Sequence, residues 1–137
     1  MEFVIKEYRD YKENEILPLY ESVGWVNYTK KPEMLKEAYN HSLKIYGAFE
    51  NGKLIGIIRV VGDGFSVIFI QDLLVYPQYQ RKGIGRALIN KILCEYKDVY
   101  QIHLMADNSE RSALFYKAMG FLMDTDINCR AFSKYNL

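Results

Sequence analysis

Asn51-Gly52 stands between two apolar runs, Lys44 to Glu50 and Lys53 to Val61. Both turn residues tolerate positive φ, which suits the tight turn whose twist matches that of paired strands. The middle of the chain is thereby committed to an antiparallel hairpin. A further turn at Gly62-Asp63-Gly64 predicts a third strand, Phe65-Ser66-Val67-Ile68-Phe69-Ile70, which continues through Gln71-Asp72 into Leu73-Leu74-Val75 and stops at Pro77. By strict alternation Phe69, Gln71, Leu73 and Val75 share one face of this strand and Asp72 points the other way.

Helical patterns lie on both sides of this meander. Asp10 to Val23 predicts a helix with Ile16, Leu17, Leu19 and Tyr20 as its apolar stripe and Gly24 as its C-terminal cap. Trp25, Val26 and Tyr28 fall in a loop. Lys31-Pro32 then opens a second helix that carries Met34, Leu35 and Ala38 inward and finishes near His41. The clearest helix is Ile84 to Lys97, where Ile84, Leu88, Ile92 and Tyr96 recur along one side with Leu93 beside them. Arg86, Asn90, Lys91 and Glu95 occupy its other face. Tyr100 to Ala106 reads as a strand, and Asp107-Asn108-Ser109 supplies capping residues for a last helix that reaches Met119 and stops at Gly120. Phe3, Ile5 and Tyr8 predict an edge strand at the start. Phe121 to Met123 and Arg130 to Ser133 predict a closing strand pair. The expected fold is α/β (α+β): a single domain over residues 1–137, with a mixed, mostly antiparallel sheet flanked by about four helices.

Composition supports one core in 137 residues, because half of them are hydrophobic and 12 Tyr and 7 Phe dominate the aromatics. Intrinsic disorder needs the opposite balance. Eighteen basic and 17 acidic residues give a net charge of +1, so no overall field draws the chain to nucleic acid or an anionic membrane. Cys94 and Cys129 form no C-x-x-C and no paired Cys/His spacing, so neither a disulfide scaffold nor a metal site is expected. Met1-Glu2-Phe3-Val4-Ile5-Lys6 lacks the apolar stretch of a signal peptide, and no run approaches the roughly 20 apolar residues of a membrane helix. A reducing cytoplasm is the default compartment.

The chemistry concentrates in Val75-Tyr76-Pro77-Gln78-Tyr79-Gln80-Arg81-Lys82-Gly83-Ile84-Gly85-Arg86-Ala87-Leu88. A strand ends there, and a glycine-bearing segment opens the amphipathic helix. The first turn of a helix leaves amides without intrahelical partners and carries the positive end of the macrodipole. Gly83 and Gly85 remove Cβ atoms, and Arg81, Lys82 and Arg86 add charge at the same point. From Leu73 through Cys94 no acidic residue occurs. The combination describes an anion site, best suited to a pyrophosphate. Leu88 stands where a dinucleotide G-x-G-x-x-G would place its last glycine, and no Walker order is present.

V-x-P-x-x-Q-R-K-G-I-G-R-A-L resembles the acyl-CoA signature of the GNAT superfamily of acetyl-CoA-dependent N-acetyltransferases. Asn108 with Ala113, Phe115, Tyr116, Gly120 and Phe121 is similar to that family's second recurrent segment, with Asn108 shifted by one or two positions. The order of elements is similar along nearly the whole chain. The resemblance implies acetyl-CoA as co-substrate, with its pantetheine arm against the backbone of Leu73, Leu74 and Val75. It implies a pyrophosphate cradled by Gln80, Arg81, Lys82, Gly83, Ile84, Gly85, Arg86 and Ala87, and Asn108 and Tyr116 in the same site. No metal is implied.

Transfer to an amine needs a neutral amine, stabilisation of the developing oxyanion and a proton for the departing thiolate. Tyr116 is the candidate donor, since a phenol of pKa about 10 can protonate a thiolate whose own acid lies near 8.5–9. Glu or His, which some family members carry at the positions of Phe69 or Gln71, is absent, so the base is open: water, or a residue elsewhere. His103 is the only nearby imidazole and reads more readily as a half-buried structural histidine, and His41 as a helix C-terminal charge. Trp25 and Tyr28 lie in the loop that covers the acceptor pocket in similar proteins, where aromatic faces suit a cationic or aryl-alkyl amine. The acceptor is a small-molecule or protein amine. Nucleic acid and membrane are not expected partners, and the tyrosine-rich surface is of a kind that supports a homodimer. A catalytically silent acyl-CoA-binding sensor or scaffold is the competing function.

Overall fold

The computed structural model describes residues 1–136. Strands β1 (Val4–Glu7), β2 (Lys44–Glu50), β3 (Lys53–Gly62), β4 (Val67–Val75) and β5 (Gln101–Leu104) form one sheet in that order. Pairing is antiparallel from β1 to β4 and parallel between β4 and β5. The β2–β3 turn holds Asn51 and Gly52 at φ 50° and 81°, as their pairing demands. Helices α1 (Glu13–Ser22), α2 (Val26–Thr29), α3 (Pro32–Asn40), α4 (Ile84–Glu95) and α5 (Glu110–Ala118) complete the α/β fold. Two compact units can be distinguished, Met1–Leu104 and the chain from Met105 onward.

In the first unit the sheet is covered on both faces. Ile16, Leu19 and Tyr20 of α1 and Leu35 and Tyr39 of α3 bury against Ile45, Ile57 and Leu74 on one side. On the other side α4 buries Ile84, Leu88, Ile89 and Ile92. The sheet accepts α4 closely at Gly56, where a Cβ would lie 3.3 Å from Ile84 Cγ2 and 3.1 Å from the Leu74 carbonyl. A Cβ there would oblige Ile84 or the Leu74 carbonyl to give way by a few tenths of an ångström.

Two boundaries differ from expectation for local reasons. Helix α1 begins at Glu13, because Lys12 is extended and its amide donates to the Tyr8 hydroxyl at 3.2 Å. That hydroxyl in turn donates to Glu15 at 2.9 Å, so a tyrosine from outside the helix organises its first turn. Between α1 and α3, residues expected as loop form the single turn α2, with Trp25 as its N-cap.

The face assignment along β4 is corrected. Arg59 pairs with Asp72 but its neighbour Val60 pairs with Ile70, so Gln71 is an extra residue in β4. A bulge of this kind resets the alternation that the strand otherwise follows. Asp72 faces Tyr20 of α1, and Gln71, the residue before it, reaches Tyr28 of α2 on the same side. Leu73 instead approaches α4, with its Cδ2 4.0 Å from where a Gly85 Cβ would stand. Gln71 and Leu73 therefore do not share a face.

In the second unit, α5 starts where its capping sequence indicated, with the Ser112 amide donating to Ser109 Oγ at 3.1 Å. The closing strand pair is not formed among the described residues. Backbone donors in both segments serve the 3-10 turn at Asp124–Ile127 instead: Met123 N–H reaches the Asp126 carboxylate at 3.0 Å and Ala131 N–H the Asp124 carboxylate at 2.9 Å. Asn128, at φ 58°, turns the chain out of the extended region between the two segments. A lone hairpin without a third strand is marginal in any case.

Candidate functional site

Strand β5 accompanies β4 only from Val67 to Ile70. Beyond the Gln71 bulge, β4 continues to Val75 paired with β3 alone, with Leu73, Leu74 and Val75 opposite Ile58, Ile57 and Gly56. One edge of those residues is thus free of a strand partner among the described residues. An extended amide-bearing chain can add to such an edge through main-chain hydrogen bonds.

The end of β4 leads directly to the α4 N-terminus. Pro77–Tyr79 form a short 3-10 turn, and Gln80 Nε2 donates back to the Val75 carbonyl at 3.0 Å, tying the loop to the strand that precedes it. Arg81 and Gly83 both occupy the left-handed region, at φ 61° and 86°. For an arginine this conformation costs about 1–2 kcal/mol. Left-handed residues in such turns bring successive amides toward one point, the arrangement found in anion-binding nests. No side chain caps α4, and a helix start of this kind offers the Ile84 and Gly85 amides to an external acceptor. Ala87 does not belong with them, because its amide donates to the Gly83 carbonyl at 3.0 Å.

Space at the two glycines separates their roles. Gly83 needs its backbone conformation, whereas Gly85 does not have a positive φ. A Cβ on Gly85 would meet only Leu73 Cδ2, at the ordinary contact distance of 4.0 Å. Among the described residues, neither packing nor backbone conformation therefore requires glycine at position 85. The open surface beside it, with exposed Arg81, Lys82 and Arg86, fits an approaching diphosphate. The partnerless edge of β4 fits an amide-bearing pantetheine arm.

Behind the bulge lies a buried polar network. Asp72 Oδ2 accepts from Arg59 Nε and from the Tyr20 hydroxyl, each at 2.7 Å. Tyr20 and Tyr39 share a hydrogen bond of 2.9 Å, and Arg59 Nη1 donates to Ser42 Oγ at 3.2 Å. Burial opposes the Arg59 charge, but the Asp72 carboxylate outweighs it and holds the guanidinium above its ordinary pKa. Burial pushes the Tyr20 phenol far up, with Tyr39 and Asp72 adding to the effect. The sequence pattern turned Asp72 away from the Leu73 face but singled out neither Arg59 nor its pairing with Asp72. A signal was present: opposite charges, each embedded in an apolar run, on consecutive strands.

Over this network the Tyr20 ring packs edge-on against Tyr28 at 5.3 Å and Trp25 at 6.2 Å. Trp25 remains 38% exposed. Gln71 is exposed, and its amide donates to the Tyr28 hydroxyl at 3.3 Å. His103 is exposed on β5, with Nε2 3.2 Å from Gln101 Oε1, rather than half-buried. His41 caps α3, its Nδ1 2.9 Å from the Glu37 carbonyl.

In the second unit Tyr116 lies on α5, packed edge-on against Phe115 at 5.0 Å and Phe121 at 5.9 Å. Its pKa is raised, first by burial and then by the Asp107 carboxylate, so the phenol keeps its proton at neutral pH. Asn108 is exposed just ahead of the α5 cap.

The profile of the acetyltransferase (GNAT) domain matches residues 8–135. A GNAT family acetyltransferase from Streptococcus pneumoniae TIGR4 superposes with a TM-score of 0.89 at 41% identity, covering 98% of each chain. An uncharacterized ycf52-like N-acetyltransferase of Prochlorococcus marinus is 31% identical across 95% of this chain and 73% of its own length. A chloroplastic serotonin N-acetyltransferase 2 of Oryza sativa subsp. japonica is 30% identical across 71% of this chain, which spans half of that protein. With the divergence of β4 from β5 and the uncapped glycine-bearing start of α4, these likenesses establish that the chain belongs to the GNAT family of N-acetyltransferases.

Proposed function

We propose that this protein transfers an acetyl group from acetyl-CoA to a primary amine by direct attack, and that residues 1–137 act as one acetyltransferase domain. The supporting observation is Gly85, a glycine that neither backbone conformation nor packing requires, at the mouth of an uncapped helix. Acetyl-CoA, when bound, supplies an activated acyl carbon and a thiolate leaving group. The amides from Arg81 to Gly85 hold the diphosphate, with Arg81, Lys82 and Arg86 adding charge. The backbone of Leu73, Leu74 and Val75 aligns the pantetheine arm, with Gln80 bracing the Val75 carbonyl. A donor near Val75 that polarises the thioester carbonyl would be worth about 3 kcal/mol in the transition state.

Tyr116 Oη holds the proton that the departing thiol requires, and its raised pKa keeps that proton available across the neutral range. Loss of the ammonium proton proceeds through water, since Gln71 carries no titratable group and Asp72 is engaged by Arg59 and Tyr20. Trp25 and Tyr28 offer aromatic faces to the acceptor. The rice relative, named for serotonin, supports an aryl-alkyl amine among the candidates. The two exposed free thiols, Cys94 and Cys129, fit a reducing compartment such as the cytoplasm.

The lack of a base on the Gln71 face favours a second reading, a silent acyl-CoA sensor. Release of free thiol from acetyl-CoA across a panel of primary amines separates the two. Release above background with any amine supports transfer. Coenzyme binding without release from any of them supports the sensor.

A further inference from the structure

Helix α2 is a single turn, and none of its residues is buried. One helical turn is unstable by itself, so Trp25 and Tyr28 owe their positions to what lies beneath them. Gly24, at φ 78°, leads the chain out of α1, and the Trp25 amide donates to the Tyr20 carbonyl at 3.0 Å. Gln71 holds Tyr28 through one exposed hydrogen bond of 3.3 Å. The buried support under both aromatics is the Tyr20 ring, fully enclosed and edge-on to each of them.

That ring is tied down at its hydroxyl. The group has one proton, and the Asp72 carboxylate, an acceptor only, takes it at 2.7 Å. The bond of 2.9 Å between Tyr39 and Tyr20 then runs from Tyr39 to Tyr20. Arg59 Nε holds the same Asp72 oxygen at 2.7 Å, so the anchor is itself held. The other oxygen, Oδ1, is buried with no hydrogen-bond partner among the described residues. Buried polar atoms are nearly always satisfied, and apolar residues of similar volume often replace such an ion pair without loss of stability. Stability alone does not account for this network. Its reach does: it starts one residue past the Gln71 bulge and ends at the two rings of the α2 turn.

We infer that Tyr20, anchored by Asp72, is a positioning residue that fixes Trp25 and Tyr28 as an aromatic wall selecting acceptors that carry an aryl group. Tyr20 touches no reacting atom and acts through the two rings it supports. An aryl group packed edge-on or offset against such a wall gains beyond the area it buries, and an alkyl chain does not. This role rests on the reading that Trp25 and Tyr28 meet the acceptor amine.

Trp25 is the only tryptophan in the chain, so its fluorescence reports on the wall without any substrate. Tyr20→Phe removes one oxygen and keeps the ring. Acrylamide is expected to quench Trp25 more strongly in this variant than in the parent. Thiol release from acetyl-CoA then gives kcat/KM for phenethylamine, tryptamine and propylamine. The parent is expected to favour the two aryl-alkyl amines. Tyr20→Phe is expected to lose about two- to tenfold of that preference through KM, with CoA affinity unchanged. Tyr39→Phe leaves the Tyr20–Asp72 bond in place and is expected to keep the preference, which a general loosening of the core would not spare. Arg59→Met/Asp72→Leu removes the anchor but leaves a packed core, and is expected to lose the preference as Tyr20→Phe does. Equal quenching of Trp25 in parent and Tyr20→Phe overturns the inference. So does a parent with no aryl preference, or a preference that survives both the Tyr20 and the anchor changes. Each of these leaves the transfer reading intact. A parent that releases no thiol with any amine of the panel overturns the transfer reading and the inference with it.

Discussion

Gly85→Ala separates binding from folding more sharply than any other single change. The added methyl meets only Leu73 Cδ2, at 4.0 Å, and the position does not use a left-handed conformation. Replacing a helical glycine by alanine then stabilises by about 0.5–1 kcal/mol. For a chain of this size that raises the unfolding midpoint by about 2–4 °C. Coenzyme affinity moves the other way, because the methyl occupies the surface a diphosphate must touch. Losing one charge-assisted amide bond costs about 1.5–3 kcal/mol, so the dissociation constant for CoA should rise roughly ten- to a hundredfold. Gly83→Ala is the matched control. Its φ of 86° strains any side chain, so the midpoint should fall while affinity also falls. Calorimetric titration with CoA and thermal melts of both variants supply the measurements. If Gly85→Ala melts higher and binds CoA as tightly as the parent, the diphosphate does not lie at the start of α4 and the proposed site is wrong.

Three further outcomes follow from the same structure. Tyr116→Phe should lower kcat at neutral pH by about tenfold to a thousandfold with the CoA dissociation constant unchanged, and any alkaline limb assigned to the phenol should lie above pH ~10 in the parent, since its pKa is raised. An unchanged rate profile would remove Tyr116 from the chemistry. Asp72→Ala leaves Arg59 buried and unpaired and should cost about 3–5 kcal/mol in denaturant unfolding, whereas Arg59→Met with Asp72→Leu should recover most of it. Asp63 is held well below the usual carboxylate pKa by the Ser66 hydroxyl and by the amides of Phe65, Val67 and Ser66. A depressed folded-state pKa stabilises above the unfolded value of about 3.9 and loses that benefit as pH falls toward the folded value. The difference in melting temperature between parent and Asp63→Ala should therefore be constant from pH ~7 to ~5 and shrink as pH falls below ~4; a constant gap down to pH ~2 would contradict it.

Local signals carried most of the elements. Asn51-Gly52, Lys31-Pro32, Ser109 and the stripe from Ile84 to Ile92 each express a short-range preference that the folded chain keeps. The same holds for the loop from Gln80 to Gly85, whose glycines, basic residues and lack of acid are visible in one contiguous stretch. What sequence could not supply was anything requiring two distant segments to meet. The Gln71 bulge exists only relative to the β3 register, and it moves Gln71 onto the Tyr28 side while Leu73 stays with α4. Tyr20, Tyr39, Arg59 and Asp72 become one network only when α1, α3, β3 and β4 pack together. The closing strands failed for the same reason. Their pattern permits extension, but a strand forms only where a partner edge takes up its hydrogen bonds, and in this chain local turns capture those donors first. Preferences within a few residues are written in the chain itself, whereas register, burial of charge and the opening of β4 arise from packing between elements far apart along it.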